Sequence, residues 1–281
     1  MSYENIQGRH QPFVTRYFAD IISYRHLAMN LVGADLRARF RRSYLGILWA
    51  IIQPLCFSIL IGWVWGSLFN YPSVWDYALY IFSGLIVWEY FATVMNVSQD
   101  ALTSAEGYLK QTRIPFLIFQ IRTAMTGMVV LWAGAIGLVL MQFVLMQLGL
   151  LHEPPVWGPY LFLLPPYFVI LFLFMAPLAI VMSILGTQIR DLKYVTMLAV
   201  QALFFISPVM LDRKLIDSEK MQVLNIVNPM SQLLHMFRQI MTYGEGWRQE
   251  QIVTVLAWGS AFWAIAIFLS IRSGRRLVYA L

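Results

Sequence analysis

Residues 37–54 read RARFRRSYLGILWAIIQP, and this stretch decides how the rest of the chain is organised. Its four arginines, Arg37, Arg39, Arg41 and Arg42, lie where polar sequence gives way to a long apolar run. An arginine side chain is costly to bury in hydrocarbon but is favoured among lipid phosphates. The stretch therefore predicts a basic cytoplasmic anchor that continues directly into a first membrane-spanning helix.

The composition of the whole chain indicates the same class of protein. Of the 281 residues, 59% are apolar and 12% are charged, whereas about 25% are charged in an ordinary soluble domain. Such a chain has too little polar surface to remain in water, which predicts an integral membrane protein. The net charge of +6 is explained by basic residues on the cytoplasmic side, so nucleic-acid binding is not predicted. The single cysteine, Cys56, is expected to be a small packing residue.

Six apolar runs are long enough to cross about 30 Å of hydrocarbon. They cover residues 44–69, 77–97, 123–151, 160–189, 194–211 and 252–271, of which the fifth is short. Pro54 is expected to kink the first run, because its ring removes a backbone hydrogen-bond donor. Pro165, Pro166 and Pro177 are expected to bend or break the fourth run near its outer end. The predicted fold class is all-α, a polytopic membrane protein with six transmembrane helices.

The distribution of Lys and Arg predicts the orientation of these helices. Fifteen of the 20 basic residues lie before the first run, in the loops after the second and fourth runs, or in the tail. Because short cytoplasmic loops are rich in Lys and Arg, both termini are predicted to be cytoplasmic. The predicted domains are a cytoplasmic N-terminus (1–43), a transmembrane domain (44–271) and a cytoplasmic tail (272–281).

Two segments outside the runs are also predicted to be helical. Residues 12–36 have an apolar, aromatic face but too many charges to span, which favours an amphipathic helix in the cytoplasmic interface. The alternative, a helix packed on a soluble domain, needs a domain that the rest of the chain does not supply. The inner loop 98–115 is expected to contain one or two helical turns that face a cytoplasmic partner.

The outer segment 212–246 is long for a connection and should contain a short helix. Asn228 is predicted to cap this helix, with Pro229 at its first position. The residues that follow are apolar on one side, with His235, Arg238 and Gln239 on the other. The segment is expected to dip into the outer leaflet or to re-enter between the spans.

The sequence gives little support for an enzymatic activity. The chain has no Gly-x-x-x-x-Gly-Lys-Ser/Thr phosphate cradle, so it is not predicted to hydrolyse nucleotide in that way. The histidines are far apart, and none has a second ligand at helical spacing, so no metal site is predicted. Glu89 is essentially the only ionisable group within the spans. It is either a functional group in a water-filled path or a carboxyl bonded to a neighbouring helix.

Deep aromatic side chains offer two interpretations. They pack against lipid and neighbouring helices, or they line a path for sugars, because flat rings stack on the C–H faces of pyranoses. The candidates for lining a channel are these aromatic residues and Glu89: Trp49, Trp88, Glu89, Tyr90, Phe91, Phe204 and Phe205. Gly62 and Gly66 form a small pair on the first run that is compatible with close helix contact.

A set of motifs in the same order along nearly the whole chain resembles one known family. The motifs are RFRRSYLGILW at 39–49, QP at 53–54, GLIVW at 84–88, RDL at 190–192, SPV at 207–209 and NP at 228–229. They are similar to those of the membrane subunits of ABC (ATP-binding cassette) polysaccharide exporters, which include permeases for O-antigen, capsule and teichoic acid. Glu89 stands where an uncharged residue is expected in this family, so the resemblance implies no role for it.

The resemblance implies a homodimer of six-helix subunits in the bacterial inner membrane, bound to two copies of a separate ABC ATPase. ATP and Mg would be held by that partner, and this chain would carry no cofactor. The cargo would be an undecaprenyl-linked polysaccharide that leaves the cytoplasm through a channel between the subunits. Exporters of drugs or small lipids on the same plan, and a membrane-embedded transferase or scaffold, are the alternative functions.

The resemblance also implies roles for particular residues. The ATPase would dock on the inner loops, at Glu106, Gly107, Tyr108, Leu109, Lys110, Arg190 and Asp191. The outer segment would form a gate of short re-entrant helices at Asn228, Pro229, His235 and Arg238. The basic cluster Arg37, Arg39, Arg41 and Arg42 would hold the pyrophosphate of the lipid carrier, since arginine binds phosphate in a planar, two-pronged way. Anchoring to anionic membrane lipids is the alternative role for the cluster.

Overall fold

The structure is a computed structural model, and it describes residues 23–68, 71, 73–111, 114–210 and 227–280, with side chains as far as Ser273. Predictions for residues 12–22 and 212–226 lie outside these ranges. All regular structure within the described ranges is helical. The α-helices are α1 (Arg25–Arg39), α2 (Trp49–Leu68), α3 (Val74–Val97), α4 (Glu106–Gln111), α5 (Phe116–Gln147), α6 (Leu164–Gln188), α7 (Leu192–Ile206), α8 (Pro229–Arg238) and α9 (Gln249–Ala280).

Five helical segments in the described ranges are long and apolar enough to cross a membrane. They are Gly46–Leu68, Val74–Asp100, Phe116–Gln147, Pro159–Gln188 and Gln249–Ser273, and they correspond to five of the six predicted runs. The chain is therefore a multi-helix membrane protein.

The remaining run, 194–211, forms the shorter helix α7. Its 15 residues extend over about 22 Å at 1.5 Å per residue, less than a full span. The helix ends at Ile206 because Ser207 precedes Pro208 and has an extended backbone, with ψ 147°. The helical part of this run therefore ends at the Ser207-Pro208 pair.

The third span has different ends from those predicted. Helix α5 begins at Phe116, directly after Pro115, so it includes Arg122 and is not free of charge. This charge is tolerated because Arg122 pairs with Asp35 of α1. At the other end the N–H of Gly149 bonds to Met146 O, and Gly149 has φ 64°. This glycine cap ends the helix before residue 151.

Prolines in the spans do not break the helices. Pro165 and Pro166 lie in the first turn of α6, where a missing N–H leaves no helical bond unmade. The helix then continues through Pro177, whereas the outer end of the fourth run, Pro159–Leu163, is a 3₁₀ helix. The run is therefore not broken at Pro177, and a bend near its outer end stays a prediction. Helix α2 likewise continues through Pro54.

Helix α3 lies at the centre of the bundle. Of the most apolar 18 residues of its span, 72% are buried, whereas the corresponding share is 17% in the first span and 11% in the last. Gly62 and Gly66 of α2 face α3, and a Cβ on Gly62 would lie 2.8 Å from Ala78 Cβ. The small residues predicted for close contact therefore make one. The first and last spans expose most of their apolar surface.

Helix α1 packs on the bundle through one face. Its buried residues Ala28 and Leu31 join a cluster with Leu117 and Ile121 of α5 and Leu102 of the loop before α4. The end of the bundle that carries α1 and α4 is called the inner end below, and the end that carries α8 is called the outer end. This packing brings the basic stretch to the base of the first span.

Candidate functional site

A cleft opens at the inner end between the end of α1, the first span, α3 and α5. We call it the inner cleft. Its volume is about 530 Å³. It is lined by Arg39, Phe40, Ser43, Trp49, Ala50, Gln53, Pro54, Phe57, Leu85, Ile86, Glu89, Tyr90, Thr93, Gly127, Val130 and Leu131. The candidate phosphate-binding residue Arg39 thus shares one cavity with three of the candidates for lining a channel, Trp49, Glu89 and Tyr90.

The turn between α1 and the first span shapes the rim of the inner cleft. Arg42 has φ 63°, a left-handed conformation that is uncommon for a residue with a side chain. Ser43 Oγ accepts a hydrogen bond of 3.2 Å from the N–H of Gly46. This turn brings Arg39 and Ser43 to the cleft. Arg37, Arg41 and Arg42 are also exposed at this turn, so the approach to the cleft is strongly basic.

Polar groups from α3 form the opposite wall. Glu89 is exposed, and Arg39 is close enough to interact with its carboxylate electrostatically. Tyr90 is 2% exposed, and its hydroxyl has no hydrogen-bond partner among the described residues. Gly127 of α5 makes room for this side chain, because a Cβ there would lie 2.7 Å from Tyr90 Cδ2. The inner cleft thus combines a cation, a carboxylate and a buried hydroxyl.

The other aromatic candidates lie elsewhere. Trp88 contacts Phe91 and Phe204, with ring centroids 5.1 and 5.5 Å apart, and Phe204 contacts Phe205 at 5.6 Å. This aromatic cluster joins α3 to α7. Trp88 and Phe91 are buried, whereas Phe205 is 74% exposed. The seven predicted channel residues therefore divide between the inner cleft and the aromatic cluster, and their role in lining a channel between subunits stays a prediction.

The predicted ATPase-docking residues share the inner end. In α4, Lys110 pairs with Glu106 one turn away, Leu109 is half-buried, and Gly107 and Tyr108 are exposed. Arg190 and Asp191 are exposed in the turn between α6 and α7. Lys193 Nζ lies 2.9 Å from Asp100 Oδ2, which joins this turn to the segment before α4. The two loops therefore form one surface, called the coupling face below.

An ion pair joins α1 to the coupling face, and sequence reasoning missed it. Arg122 Nε lies 3.0 Å from Asp35 Oδ2, although its N–H does not point along this line, so the contact is ionic. Arg122 Nη2 also donates to Ser104 Oγ at 3.3 Å, and Thr126 Oγ1 donates to Asp35 Oδ2 at 3.3 Å. Burial raises the pKa of the Asp35 carboxyl, while Arg122 and Thr126 oppose that rise.

At the outer end, α8 is inserted among the spans. Asn228 caps it as predicted, with its Oδ1 accepting from Met230 N at 3.0 Å and Pro229 in the first turn. Asn228 Nδ2 donates to Ser207 Oγ at 3.0 Å. Tyr167 of α6 donates to the carbonyl of Leu233 at 3.0 Å. Hydrogen bonds from two neighbouring segments therefore fix this helix.

Arg238 and Gln239 are buried, although they lie opposite the apolar side of the helix pattern. Arg238 is 1% exposed and Gln239 is 6% exposed, whereas His235 is half-buried. Arg238 stacks on the ring of Tyr80, with Cζ 3.6 Å from the centroid. Burial of this cation is possible because oxygen atoms surround it. They are Ser83 Oγ at 3.2 Å and the carbonyl oxygens of Tyr80 at 3.0 Å, Pro208 at 2.6 Å and Val209 at 2.9 Å.

These features agree with the family to which the sequence matches. The chain belongs to the ABC-2 type transporter family, whose model matches residues 27–242. It is therefore a transmembrane component of an ABC transporter, in which ATP hydrolysis resides in a separate ATPase subunit. The matched range includes the inner cleft, the coupling face and α8.

Curated relatives cover most of the chain. It is 24% identical over 227 residues to an O-antigen export system permease protein RfbA of Myxococcus xanthus, covering 80% of this chain and 84% of the relative. Two proteins of the same name from Klebsiella pneumoniae are each 22% identical, over 218 and 222 residues, covering 78% of this chain and 81% of each relative. The resemblance to polysaccharide-exporter subunits is confirmed.

Proposed function

We propose that this chain is the transmembrane subunit of an ATP-driven exporter that moves lipid-linked polysaccharide out of the cytoplasm. The observation that carries the proposal is the similarity over about four-fifths of the chain to permeases named for O-antigen export, 80% for the Myxococcus relative. The basic rim and polar interior of the inner cleft support it, because a carrier pyrophosphate is an anion at the membrane surface. The cargo is an undecaprenyl-linked glycan.

The working unit is a homodimer of six-span subunits in the bacterial inner membrane. Helix α7 serves as the sixth span, although it is short. Residues 207–209, directly after it, contact α3 and α8 at the outer end. The apolar surfaces that the first span, α7 and the last span expose support contact with a second copy. Both termini are cytoplasmic, so the basic rim faces the cytoplasmic leaflet.

Two copies of the ATPase bind the coupling face, one on each subunit. Exposure of Gly107, Tyr108, Lys110, Arg190 and Asp191 on one surface supports this role. ATP and Mg are held by the partner, and this chain carries no cofactor. Closure of the ATPase dimer on ATP would move the coupling face, and the pair formed by Asp35 and Arg122 would pass that movement to α1.

The cargo passes three zones of the protein. The carrier phosphate is attracted by Arg37, Arg39, Arg41 and Arg42. The aromatic cluster borders the path between subunits through Phe204 and Phe205, because Trp88 and Phe91 are buried. The outer gate contains Asn228, Pro229, His235 and Arg238. In this gate Arg238 fixes the position of α8 and does not contact the cargo, because its guanidinium is fully surrounded by protein. The outer α8 is a re-entrant helix that does not cross the membrane.

Deletion of the gene tests the proposal in the cell of origin. The expected result is loss of surface polysaccharide with lipid-linked polymer retained inside, and restoration of export by the wild-type chain. Co-purification should recover an ABC ATPase with this chain. Unchanged surface polymer, or ATP-dependent transport of a drug or small lipid by the purified complex without any glycan, would overturn the proposal.

A further inference from the structure

The hydroxyl of Tyr90 is an unusual feature of the inner cleft. It belongs to a side chain that is 2% exposed, yet no described residue accepts or donates a hydrogen bond to it. A buried polar group without a partner is unfavourable, and such groups are rare in folded proteins. Tyr90 lines the cleft, so a shift of its buried hydroxyl toward the cavity lets a molecule bound there supply the missing partner. The side chain is therefore arranged for a ligand.

The neighbouring groups define the chemistry of that ligand. Glu89 is a hydrogen-bond acceptor when ionised, so it requires a donor and repels a phosphate. Arg39, beside it, is a donor that favours phosphate. Gln53 adds an amide that can donate and accept, and Trp49 offers a flat apolar ring. A phosphate joined directly to a group rich in hydroxyls satisfies all of these residues.

We propose that the inner cleft binds the first sugar of the glycan together with the phosphate to which it is linked. Arg39 contacts the phosphate, Glu89 and Tyr90 hydrogen-bond to sugar hydroxyls, and Trp49 packs against the C–H face of the ring. The volume of about 530 Å³ lies within the range of sites for small molecules, about 300–1,000 Å³. This inference rests on the proposed function, and it names the part of the cargo that the subunit recognises.

One consequence is that recognition does not depend on the length of the polymer. The cleft binds only the end of the glycan that is attached to the carrier. Short and long polymers are therefore expected to bind alike. A phospholipid with a phosphate and an ammonium group, such as phosphatidylethanolamine, could also satisfy Arg39 and Glu89. It offers no hydroxyls for Tyr90 and no ring for Trp49, and its binding is a distinct outcome of the test below.

Binding to the full chain with its ATPase, reconstituted in lipid nanodiscs, tests the inference. The probes are farnesyl pyrophosphate carrying one hexose and farnesyl pyrophosphate without the sugar. Nanodiscs are prepared with and without phosphatidylethanolamine. Wild-type protein is expected to bind the glycosylated probe at least about tenfold more tightly than the plain one, and similarly in both lipid mixtures.

Conservative variants assign the contacts. Glu89→Gln and Tyr90→Phe are each expected to weaken binding of the glycosylated probe by about three- to tenfold. Binding of the plain probe should be unchanged by Tyr90→Phe and should not be weakened by Glu89→Gln, because this substitution removes a charge that repels phosphate. Arg39→Gln is expected to weaken both. Glu250→Gln and Tyr160→Phe, which alter exposed residues far along the chain, serve as matched controls and should change neither. Melting temperatures of all variants show whether the fold is kept.

Three results would overturn the inference: equal binding of both probes, equal weakening of both by Glu89→Gln and Tyr90→Phe, or loss of sugar preference when phosphatidylethanolamine is present. If polymer export is intact while any of these is observed, the proposed function stands and only the assignment of the cleft fails. If the complex exports no glycan at all, the proposed function fails first.

Discussion

Gly84 of α3 lies directly against the guanidinium of Arg238, so closely that a methyl group at position 84 would overlap Nη2. The same methyl group would lie 3.1 Å from the carbonyl oxygen of Val209. The absence of a side chain at Gly84 therefore allows Arg238 to reach carbonyls of α3 and of the segment after α7. Gly84 begins the GLIVW motif, and this packing gives that glycine a physical role.

Arg238→Met should destabilise the protein strongly. The substitution removes four hydrogen bonds and takes away the donor of the buried carbonyl oxygens of Pro208 and Val209. We expect a loss of about 3 kcal/mol or more, measured by denaturation in detergent. Arg248→Met, which alters an exposed arginine, is the matched control and should change little. Equal effects of the two substitutions would show that Arg238 does not hold α8 in place.

Gly84→Ala should destabilise the protein by about 1–3 kcal/mol, because the added methyl group displaces the guanidinium. Gly259→Ala is the control, since a Cβ at this helical glycine would meet Phe174 only at an ordinary 3.8 Å. In the Arg238→Met background the loss of stability caused by Gly84→Ala should be smaller, because the side chain that clashes with the added methyl group is shorter. Additive effects in this double-mutant cycle would contradict the contact.

Arg122→Met should cost more stability at neutral pH than at mildly acidic pH. Burial already raises the pKa of Asp35, and removing Arg122 takes away the opposing charge and raises it further. A raised pKa means that the folded state binds a proton more strongly than the unfolded chain does. The stability gained by protonation is present at low pH and is lost as pH rises through the folded-state pKa. Melting temperatures from pH 5 to 8 should therefore show the largest deficit at the high end.

Asp35→Asn is the companion variant for this test. It removes a carboxylate that burial disfavours, so it should destabilise less than Arg122→Met. In the double variant the pH-dependent part of the Arg122→Met deficit should disappear. A deficit of Arg122→Met that is constant with pH would show that Asp35 is not the group responsible.

Arg41→Ala combined with Arg42→Ala should lower export more than it lowers the amount of folded, inserted protein. The two exposed arginines face the approach to the inner cleft, where they would attract the carrier phosphate. Surface polymer and membrane-inserted protein are measured in the same cells, with Arg248→Ala combined with Arg272→Ala as a control for lost charge. Equal loss of surface polymer and of inserted protein would show that the basic cluster acts only as a membrane anchor.

Local signals in the sequence predicted the local structure well. The cap formed by Asn228 and Pro229 and the short helix at Glu106 both follow from residues that are adjacent in the chain. The position of α5 was less accurate, because the charge on Arg122 marked residue 123 as the start of the span. A charge can lie inside a buried helix when a partner neutralises it, and that partner, Asp35, is far away in the sequence.

Arg238, at the candidate outer gate, is a second residue whose environment could not be predicted from the local sequence. Helical periodicity assigned it to the polar side of α8, and it gave no sign that this side chain is buried. Its partners are mostly backbone carbonyls of α3 and of residues 208–209, and a carbonyl carries no signal in the sequence. The inner cleft was likewise hidden, because Arg39, Glu89 and Gly127 meet only when three helices pack together.

Reconstituted transport tests directly whether this chain exports lipid-linked polysaccharide. The purified chain and its ATPase are inserted into proteoliposomes, with the ATPase facing outward and labelled lipid-linked polysaccharide supplied in the outer leaflet. We expect ATP to make the polymer inaccessible to an added glycosidase, and an ATPase variant unable to hydrolyse ATP to abolish this protection. Polymer that remains fully accessible while the complex hydrolyses ATP would contradict the claim that this chain exports lipid-linked polysaccharide.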